Sequence, residues 1–362
     1  MVQRVCLVSG GTGGHLMPAL VLARAMRTCG HEPMLVTEGR AVERELVARE
    51  LPDLPEMALP SSRGSRFALP FWLLRATVAA RRLLRERAVD CVVSTGGRPS
   101  VPMGLAAKSL GVPLYLLEQN AVTGRANRFL QPLAQRIYHG LPSNDRASAR
   151  SLLTGTPLRP GLGRIDRRSA REQLELPQDA TVVLVTGGSQ GARALNETVP
   201  AALLRTGRPL HVLHLSGLGN DAAVRAAYSS GAGRVVANVR PVALDMDRLF
   251  AAADLVVCRG GGTTVAELCV VGRPAVIVPY PHHRDQQQLR NAEVLVRAGA
   301  AMVVEESELT VESLAQLLDA LLVDPERLQA MGRAALCVAG GNAVAAILHD
   351  MGLSSAGTGG AS

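Results

Sequence analysis

The sequence predicts an α/β protein built from two Rossmann-like domains, each a doubly wound parallel sheet, that face each other across a cleft. Continuous runs rich in Val and Leu alternate with longer helical segments along the chain, which is typical of parallel strands covered by helices on both faces. The two halves begin alike, because Val5–Val8 leads into one glycine cluster and Val182–Val185 leads into another. A length of 362 residues also suits two domains.

The strand candidates are the short apolar runs of this alternation. In the first half they are Arg4–Ser9, Pro33–Thr37, Val89–Ser94, Val112–Leu117 and Arg136–His139. In the second half they are Thr181–Thr186, Leu210–Leu215, Arg234–Asn238, Leu255–Cys258, Ala275–Pro279 and Ala301–Val304. Because a helical segment separates these runs, each half is expected to form a doubly wound sheet.

The domain limits follow from the Pro and Gly residues of the chain. Residues 154–160 contain one Gly and two Pro residues and are a hinge candidate. The N-terminal domain is therefore predicted at 1–158 and the C-terminal domain at 159–335. Residues 336–352 are expected to pack back on the N-terminal domain. Residues 353–362, mostly Ser, Gly and Ala, are expected to form a disordered tail.

The composition excludes disorder for the bulk of the chain, since 47% of the residues are hydrophobic and 19% are charged. The uncharged run Ala334–His349 is interrupted by Gly340–Asn342 and is too short for a transmembrane helix. The N-terminus lacks the basic start and cleavage region of a signal peptide, which predicts a cytoplasmic protein. The six cysteines form no CxxC pair and are expected to be buried free thiols.

The net charge of +8 comes almost entirely from arginine, because Lys108 is the only lysine. Guanidinium groups suit phosphates and anionic surfaces, so the charge points to nucleic acid, a membrane or a phosphorylated substrate. An aromatic content of 2% argues against single-stranded nucleic acid. No zinc finger or RNP motif occurs either. The sequence therefore predicts no nucleic-acid partner.

A glycine loop, Gly10–Gly14, lies between the first strand and a helical run. Glycines let backbone amides approach an anion, and a helix N-terminus adds a partial positive charge. The loop lacks the GxGxxG spacing of the nicotinamide fingerprint and the GK[ST] of a P-loop. His15 ends the loop and is a candidate general base near neutral pH. A capping or packing histidine is the alternative.

Polar clusters follow two further strands of the first half. Ser94–Pro99 comes after one strand and Glu118–Asn120 after the next. Helix caps or turns would explain either cluster alone. Because ligands of open α/β sheets bind beyond the carboxyl ends of the strands, we interpret both clusters as walls of the cleft.

Segments of the second half suit a nucleotide sugar. Gly187–Arg193 repeats the glycine-rich turn, and Cys258–Glu267 places glycines before a helix. Such a loop can hold a diphosphate while Glu267, about one turn in, reaches a diol such as a ribose. Amide side chains donate and accept hydrogen bonds, as sugar hydroxyls require; those in the following segment are Gln287, Gln288 and Asn291. A solvated helix face is the alternative there.

Metal-binding patterns are weak in this sequence. Asp245–Asp247 has the DxD spacing that metal-dependent sugar transferases use, but it precedes a helical run and is better interpreted as an N-cap. His282, His283 and Asp285 lack the spacing of a helical HExxH-type site. The sequence predicts no metal site.

Residues 67–87 combine apolar and basic side chains, including the only Trp and two of the four Phe residues. The combination fits a patch that inserts into the interface of an anionic membrane. A buried helix with a solvated basic face is the alternative. The predicted patch comprises Phe67, Leu69, Phe71, Trp72, Arg75, Arg81 and Arg82.

Taken in order, these motifs resemble those of the MurG family. They are GGTGGH from residue 10, GG-x₄-P-x-GLAA-x-SLG-x-P from 96, EQN from 118, GGSQGA-x-x-LN from 187, CR-x-G-x-x-TV-x-E from 258 and the Gln/Asn segment. The resemblance covers about residues 3–350. It implies the GT-B fold and transfer of GlcNAc from UDP-GlcNAc to the C4 hydroxyl of an undecaprenyl-diphosphate-linked MurNAc-pentapeptide. Inversion at the anomeric centre, no cofactor and no catalytic metal are also implied.

The resemblance also assigns site residues. His15 is the implied catalytic base, and the acceptor diphosphate lies at Gly10, Gly11, Gly13 and Gly14. The implied donor contacts are Thr12, Gly13, Gly14, Asn120, Arg159, Ser189, Gln190, Ala243, Gly261, Gly262, Thr263, Thr264, Glu267, Gln287, Gln288 and Asn291. Glu267 takes the ribose hydroxyls in this assignment. The implied location is the cytoplasmic face of the cell membrane, as a peripheral protein on an anionic membrane surface, in cell-wall synthesis.

The sequence departs from the family pattern in three places. Leu117 replaces the His of the usual HEQN, Arg98 and Pro99 replace Tyr-Val, and Val242–Leu244 replaces Phe-Ile-Asp near the uracil. Three alternatives stay open: a UDP-sugar transferase with a soluble acceptor, a nicotinamide-dependent oxidoreductase, and a non-enzymatic basic binding protein. The arginine-flanked apolar segment favours a lipid-linked acceptor over a soluble one. The missing GxGxxG argues against the second.

Overall fold

A computed structural model describes residues 1–10, 13–59, 69–143, 148–188, 190–229, 233–282, 285–338 and 340–354. The chain forms two compact units. Unit 1 consists of Met1–Arg159 with Gly340–Ser362, and unit 2 of Pro160–Ala339. The boundary lies in the hinge candidate and places Arg159 in unit 1, whereas the sequence places it in the C-terminal domain.

Unit 1 contains a seven-stranded sheet in the order β3-β2-β1-β4-β5-β6-β7, with every neighbouring pair parallel. Its strands are β1 (Arg4–Ser9), β2 (Glu32–Thr37), β3 (Glu56–Ala58), β4 (Cys91–Gly96), β5 (Leu114–Glu118), β6 (Arg136–His139) and β7 (Ser151–Leu153). Its first helices are α1 (Gly13–Thr28), α2 (Ala41–Glu50), α3 (Leu69–Glu86), α4 (Ser100–Leu110) and α5 (Arg125–Leu130), followed by a 3-10 turn at Gln131–Leu133.

Unit 2 contains a six-stranded sheet in the order β10-β9-β8-β11-β12-β13, again parallel throughout. Its strands are β8 (Val182–Thr186), β9 (Leu210–Leu215), β10 (Val235–Arg240), β11 (Leu255–Cys258), β12 (Ala275–Ile277) and β13 (Ala301–Val303). Its helices are α6 (Arg167–Gln173), α7 (Arg193–Arg205), α8 (Asp221–Tyr228), α9 (Met246–Ala252), α10 (Gly262–Val271), α11 (Gln287–Arg297), α12 (Val311–Leu322) and α13 (Pro325–Val338).

The central strands show why continuous apolar runs form these sheets. Val5 and Leu7 belong to the core on one face of the unit 1 sheet, and Cys6 and Val8 to the core on the other face. All four side chains are 0% exposed. Because successive side chains of a strand point to opposite faces, a strand covered on both faces must be apolar at every position.

Two strands, β3 and β7, are absent from the prediction. Both are three residues long, lie at the two edges of the unit 1 sheet, and are mostly exposed or half-buried. An edge strand covered less completely needs no continuous apolar run, so the pattern that identifies central strands does not identify these.

The chain returns to unit 1 after Ala339. Helix α14 (Ala343–Asp350) packs against α1, and Asp350 accepts a hydrogen bond from Tyr138 Oη at 2.8 Å. The return therefore starts later than the predicted 336, because residues 336–338 belong to α13 in unit 2. Leu353 is fully buried, so the tail prediction was wrong at that residue. Residues 355–362 of the predicted tail lie outside the described residues.

Residues Pro325–Asp350 are long and apolar enough to cross a membrane by length and composition, although the sequence predicts no transmembrane helix. Core helices pass the same test. The stretch is divided between α13, which contacts α10 in unit 2, and α14, which contacts α1 in unit 1.

The cysteines are all free, as predicted. Cys6, Cys91, Cys258 and Cys269 are buried, whereas Cys29 is half-buried and Cys337 is exposed. The prediction of burial was therefore wrong for the last, which lies near the end of the amphipathic helix α13.

Each sheet reverses its strand order at its first strand, between β1 and β4 in unit 1 and between β8 and β11 in unit 2. Ligands of open α/β sheets bind beyond the carboxyl ends of the strands at such a point. The loops that leave these strands are the glycine-rich segments at Gly10, Gly96, Gly187 and Gly260. The fold thus places the sequence motifs where a ligand site is expected in each unit.

Candidate functional site

Two backbone segments of unit 1 touch at the end of β1 and β4. The Gly10 N–H donates to the Gly96 carbonyl at 3.0 Å. A Cβ added at Gly97 would lie 2.4 Å from the Gly10 carbonyl oxygen, and the φ of Gly97 is +91°. The two loops can approach this closely only because Gly97 has no side chain.

His15 is the third residue of α1, and its ring lies beside β4 and β5. Its Nδ1 is 2.8 Å from the Thr95 carbonyl oxygen and 3.0 Å from Gln119 Oε1. A Cβ on Gly96 would come within 3.2 Å of the imidazole ring, so the glycine makes room for it. The side chain is half-buried.

These contacts determine the tautomer of His15. A carbonyl oxygen accepts hydrogen bonds and cannot donate one, so Nδ1 must carry a proton to bond Thr95. In the neutral ring the other nitrogen, Nε2, then has the lone pair. His15 therefore offers Nε2 as the basic atom, which is the arrangement a general base requires.

The turn after β5 is organised by the buried carboxylate of Glu118. It accepts hydrogen bonds from the backbone and side-chain N–H groups of Asn120 at 3.1 and 3.0 Å, from the Gly124 N–H at 2.9 Å and from Asn127 Nδ2 at 3.0 Å. These donors offset the cost of burying a charge. Asn120, an implied donor contact, is itself buried and uses its amide in this network.

Arg159 is an implied contact of the donor phosphates. In this structure its Nη2 pairs with Glu50 of α2 at 2.9 Å and lies 3.7 Å from Met17 Sδ. The guanidinium is thus engaged within unit 1. A guanidinium has five N–H donors, so the contact with Glu50 uses only part of its capacity.

Some of the remaining implied residues lie in the part of the chain that the structure describes, and others do not. Gly13 and Gly14 form the start of α1, where the helix dipole favours an anion. Gly11 and Thr12 lie outside the described residues, as do Ser189 in unit 2 and Phe67 of the predicted membrane patch.

In unit 2, helix α10 begins directly after β11. Gly261 is its N-cap with extended backbone, and Gly262, Thr263 and Thr264 form its first turn. Four N–H groups at such an end have no partner within the helix and suit a phosphate. Glu267 is half-buried in the second turn, and burial together with its charge raises the pKa of the Cys258 thiol to about 12. Its carboxylate thus lies near the end of β11.

Gln288 and Asn291 hold the loop before α10. Gln288 Oε1 accepts from the backbone N–H groups of Gly260 at 3.1 Å and Tyr280 at 3.0 Å. Asn291 Nδ2 donates to the Gly260 carbonyl at 3.0 Å, and Asn291 is 0% exposed. The role of Asn291 as a sugar contact stays a prediction, and in this structure its buried side chain holds the Gly260 backbone. Gln287 stays half-buried at the first position of α11.

Arg259 supports the same loop and was missed by the sequence interpretation. Its Nη1 donates to the carbonyls of Val278 and Pro279 at 3.0 and 3.1 Å, its Nη2 pairs with Glu306 at 2.5 Å, and its guanidinium lies over Tyr280. In the sequence, the role of Arg259 is indicated only by its position in the motif that starts at Cys258. The contacts tie the ends of β11 and β12 together.

The second glycine loop of unit 2 packs against the end of β9. A Cβ at Gly191 would lie 2.1 Å from the Ser216 carbonyl oxygen, which also accepts from Asn196 Nδ2 at 2.8 Å. Gln190 is exposed on this loop, and Ala243 is half-buried between the exposed Val242 and Leu244.

His214 lies beneath this loop and makes stability depend on pH. Its ring bonds Tyr228 Oη at 2.9 Å and Asn196 Oδ1 at 3.1 Å, and burial lowers its pKa to about 4. In the unfolded state His214 binds a proton near pH 6.5, whereas the folded state resists protonation down to about pH 4. The contribution of neutral His214 to folding stability is therefore complete above pH 6.5 and is lost as the pH falls toward 4.

We expect the free energy of unfolding to fall by about 3 kcal/mol between pH 6.5 and pH 4 because of His214. Urea titrations should show it; an equal pH slope in His214→Gln would contradict the assignment.

Helix α3 carries the described part of the predicted membrane patch. It buries the small side chains of Ala76 and Ala80, together with Leu84. Leu69, Phe71, Leu74 and Val78 are exposed, and Arg75 lies over the Phe71 ring at 5.7 Å. The buried-helix alternative is therefore wrong for this face.

The other described residues of the patch are partly buried or bonded to neighbouring groups. Trp72 is half-buried. Arg81 Nη1 donates to the Ser109 carbonyl at 2.9 Å, and Arg82 pairs with Glu86 at 2.6 Å. The exposed face is thus apolar with partly paired arginines along one side.

Acidic residues form no metal-binding cluster in the part of the chain that the structure describes, where no three His, Cys, Asp or Glu side chains converge. Asp245 is the N-cap residue of α9, as predicted, but its side chain makes no capping hydrogen bond. It pairs with Arg240 at 3.2 Å instead.

Comparison with known proteins identifies the family. The model of the glycosyltransferase family 28 N-terminal domain matches residues 5–139, and that of the C-terminal domain matches residues 182–349. A UDP-N-acetylglucosamine–N-acetylmuramyl-(pentapeptide) pyrophosphoryl-undecaprenol N-acetylglucosamine transferase of Stutzerimonas stutzeri is 39% identical over 92% of this chain and 94% of the relative. A protein of the same name from Pseudomonas savastanoi is 38% identical over 94% and 95%.

A solved structure, that of Acinetobacter baumannii MurG, superposes with a TM-score of 0.83 at 32% identity, covering 97% of this chain and 99% of that one. The two doubly wound units are those of the GT-B fold. With both domain models matched and relatives this similar over nearly the whole length, the chain belongs to glycosyltransferase family 28 and, within it, to the MurG family of N-acetylglucosamine transferases of peptidoglycan synthesis.

Proposed function

We propose that this chain transfers GlcNAc from UDP-GlcNAc to the C4 hydroxyl of the muramyl sugar of an undecaprenyl-diphosphate-linked MurNAc-pentapeptide, with inversion at the anomeric carbon. Its relatives are named for this class of transfer. The observation that supports the chemistry is the pair of contacts made by His15 Nδ1. That atom bonds two acceptors, which makes Nε2 the basic nitrogen.

The proposed step is a single displacement. The C4 oxygen of the acceptor attacks the anomeric carbon of GlcNAc, and its proton passes to His15 Nε2. The bond from the anomeric carbon to the β-phosphate oxygen breaks, and UDP leaves with the electron pair. Attack from the opposite side inverts the anomeric carbon. Proton transfer to a positioned base contributes on the order of 10²–10⁴-fold in rate.

We place the donor diphosphate at the N-terminus of α10. The amides of Gly262, Thr263 and Thr264 and the helix dipole favour the charge that develops on departing UDP. Glu267 takes the ribose hydroxyls from the next turn. Arg259 and Asn291 contribute by fixing the loop, since both bond its neighbouring backbone.

The other implied donor contacts keep their proposed roles with two changes. We propose that Asn120 and Gln287 contact the GlcNAc, Ala243 the uracil, and Gln190 and Ser189 the phosphates. Gln288 Oε1 already bonds two backbone N–H groups, so we propose that only its amide nitrogen is available to the sugar. The second change concerns Arg159, whose Nη2 is held by Glu50, so we propose that its other N–H groups meet the phosphate.

We further propose that the transfer needs no divalent cation. The supporting argument is that helix amides can stabilise a departing diphosphate directly.

The acceptor class is tested with a panel of two acceptors. One carries the lipid diphosphate, and the other is the same muramyl peptide without it. We expect product only from the lipid-linked acceptor, with a β-1,4 linkage in its NMR spectrum. Equal transfer to the lipid-free acceptor would favour the soluble-acceptor alternative, and an α linkage would contradict the single displacement.

We propose that the exposed face of α3 docks on the anionic cytoplasmic face of the cell membrane. Phe71, Leu74 and Val78 lie three or four residues apart and thus on one face of the helix. Apolar side chains beside arginines bind such an interface by burial and by attraction to anionic lipid. Arg75 beside Phe71 supplies that charge.

Vesicle flotation tests the docking face. For Leu74→Ser with Val78→Ser we expect binding to anionic vesicles to weaken about tenfold, because two apolar side chains no longer enter the interface. Val323→Ser is the control, since Val323 of unit 2 is 58% exposed and Val78 is 59% exposed. Equal flotation of all variants would contradict the proposal.

A further inference from the structure

The base candidate His15 has a second side-chain partner, Gln119, to which neither the sequence motifs nor the family resemblance assigns a role. Gln119 Oε1 lies 3.0 Å from His15 Nδ1, and Gln119 Nε2 donates to the Thr95 carbonyl at 3.2 Å. The same Thr95 oxygen is 2.8 Å from His15 Nδ1. Three groups, one on α1, one on β4 and one directly after β5, therefore form a closed triangle of hydrogen bonds.

The triangle permits one assignment of protons. Thr95 contributes a carbonyl oxygen, which only accepts, so both His15 Nδ1 and the Gln119 atom facing it must be donors to Thr95. The Gln119 atom facing Nδ1 must then be the oxygen. Reversing the Gln119 amide would place its oxygen against the Thr95 carbonyl oxygen, which also only accepts. It would also place the Gln119 NH₂ group against the proton on His15 Nδ1. The amide orientation and the histidine tautomer thus require each other.

We infer that Gln119 is a positioning residue that fixes the His15 ring and keeps its proton on Nδ1. This inference rests on the proposed function, because it concerns the base of that reaction. Gln119 acts through His15 and contacts no reacting atom in this account.

The surroundings hold Gln119 rigidly. It is 2% exposed, and a Cβ on Gly140 would lie 3.2 Å from its Cα. The preceding residue, Glu118, ties the turn that follows β5 through its buried carboxylate. A buried amide with both polar atoms bonded has little freedom to rotate away.

A neutral partner suits a base that must release its proton in each cycle. A carboxylate beside Nδ1 would favour the protonated ring, whereas an amide oxygen orients it with a weaker preference for that form. The nearby acidic side chains are engaged elsewhere, and Arg98 follows β4 as an exposed cation with a partner of its own. The acidic partners are Glu38 with Arg40, Glu43 with the Arg40 N–H, Glu50 with Arg159, Glu118 with its turn, and Asp350 with Tyr138.

The test introduces a carboxylate at this position. For Gln119→Glu we expect the acidic limb of the kcat profile to move to higher pH by about one to two pH units. For Gln119→Met, which has similar size and no amide, we expect kcat to fall on the order of 10–100-fold with little change in KM for UDP-GlcNAc. Gln131→Glu adds the same charge to unit 1 away from this triangle and should leave the profile in place.

Nitrogen NMR of ¹⁵N-histidine protein separates this inference from the proposed function. We expect the neutral His15 ring of the wild type to carry its proton on Nδ1. In Gln119→Met only the Thr95 carbonyl still holds that proton, so we expect a larger share of the tautomer that is protonated on Nε2. This readout needs no acceptor, so it holds even where the wild type fails to transfer GlcNAc. An unmoved acidic limb in folded Gln119→Glu, or an unchanged tautomer in Gln119→Met, would overturn the positioning role.

Discussion

We expect the variant His15→Asn to fold and to bind UDP-GlcNAc like the wild type while its kcat falls on the order of 10²–10⁴-fold. Asn can still donate a hydrogen bond toward Thr95, but it has no lone pair that takes up a proton. The donor contacts proposed at α10 lie in unit 2, so KM for UDP-GlcNAc should change by less than about twofold. Steady-state kinetics of UDP release measure both constants.

His31→Asn is the matched control for that result. His31 is also a half-buried histidine of unit 1, and its ring bonds the Gln3 N–H at 3.2 Å and the Leu353 carbonyl at 3.0 Å. Its loss should lower stability without lowering kcat. A wild-type kcat in His15→Asn would remove His15 as the base. A similar loss of kcat in both variants would mean that the effect is structural.

The second large effect is expected for Gly97→Ala. The added Cβ would meet the Gly10 backbone at 2.4 to 2.6 Å, so the two loops must separate. A displacement of about 1 Å at a catalytic site can cost on the order of 10²-fold in rate, and we expect at least that loss of kcat. The positive φ adds about 1–2 kcal/mol of destabilisation. Urea unfolding and UDP-release kinetics measure the two effects.

Gly111→Ala isolates the backbone strain from the collision. Gly111 has a φ of +72°, and an added Cβ would meet nothing within 4 Å. Its variant should lose about 1–2 kcal/mol of stability and keep its kcat. Equal kcat values for both glycine variants would contradict the close approach of the loops as a requirement for activity.

The sheets could be predicted from the sequence because burial on both faces leaves a continuous apolar run. Arg4–Ser9, Leu210–Leu215 and Leu255–Cys258 are strands with the predicted limits. Edge strands such as β3 lack that constraint. The end of the N-terminal domain is ambiguous for a related reason, since Pro and Gly mark a hinge over several residues but do not say which unit holds Arg159.

The site was predictable as a set of loops but not as a set of contacts. An amide side chain at Asn291 can bond a sugar or a backbone with the same chemistry, and the bond to the Gly260 carbonyl is visible only in the structure. Arg159 is similar, because its charge suits a phosphate and equally suits Glu50. Local pattern supplies the donor and acceptor types, whereas the partner depends on the packed fold.

The role of Gln119 could not be predicted from the sequence for the same reason. It stands between Glu118 and Asn120, and nothing in the spacing distinguishes the three. The partner that gives it a role, His15, is 104 residues away in sequence. Parallel strands connected through helices bring such distant residues to one sheet edge, and their contact is visible only in the structure.

An acceptor-dependent, metal-independent transfer of GlcNAc from UDP-GlcNAc can be tested by one assay. UDP release by the wild-type chain is measured in EDTA, with and without the undecaprenyl-diphosphate-linked muramyl acceptor. We expect release only when acceptor is present, at a rate that the chelator does not lower. Release that is independent of the acceptor, or that stops in EDTA and returns with a divalent cation, would contradict the proposed transfer.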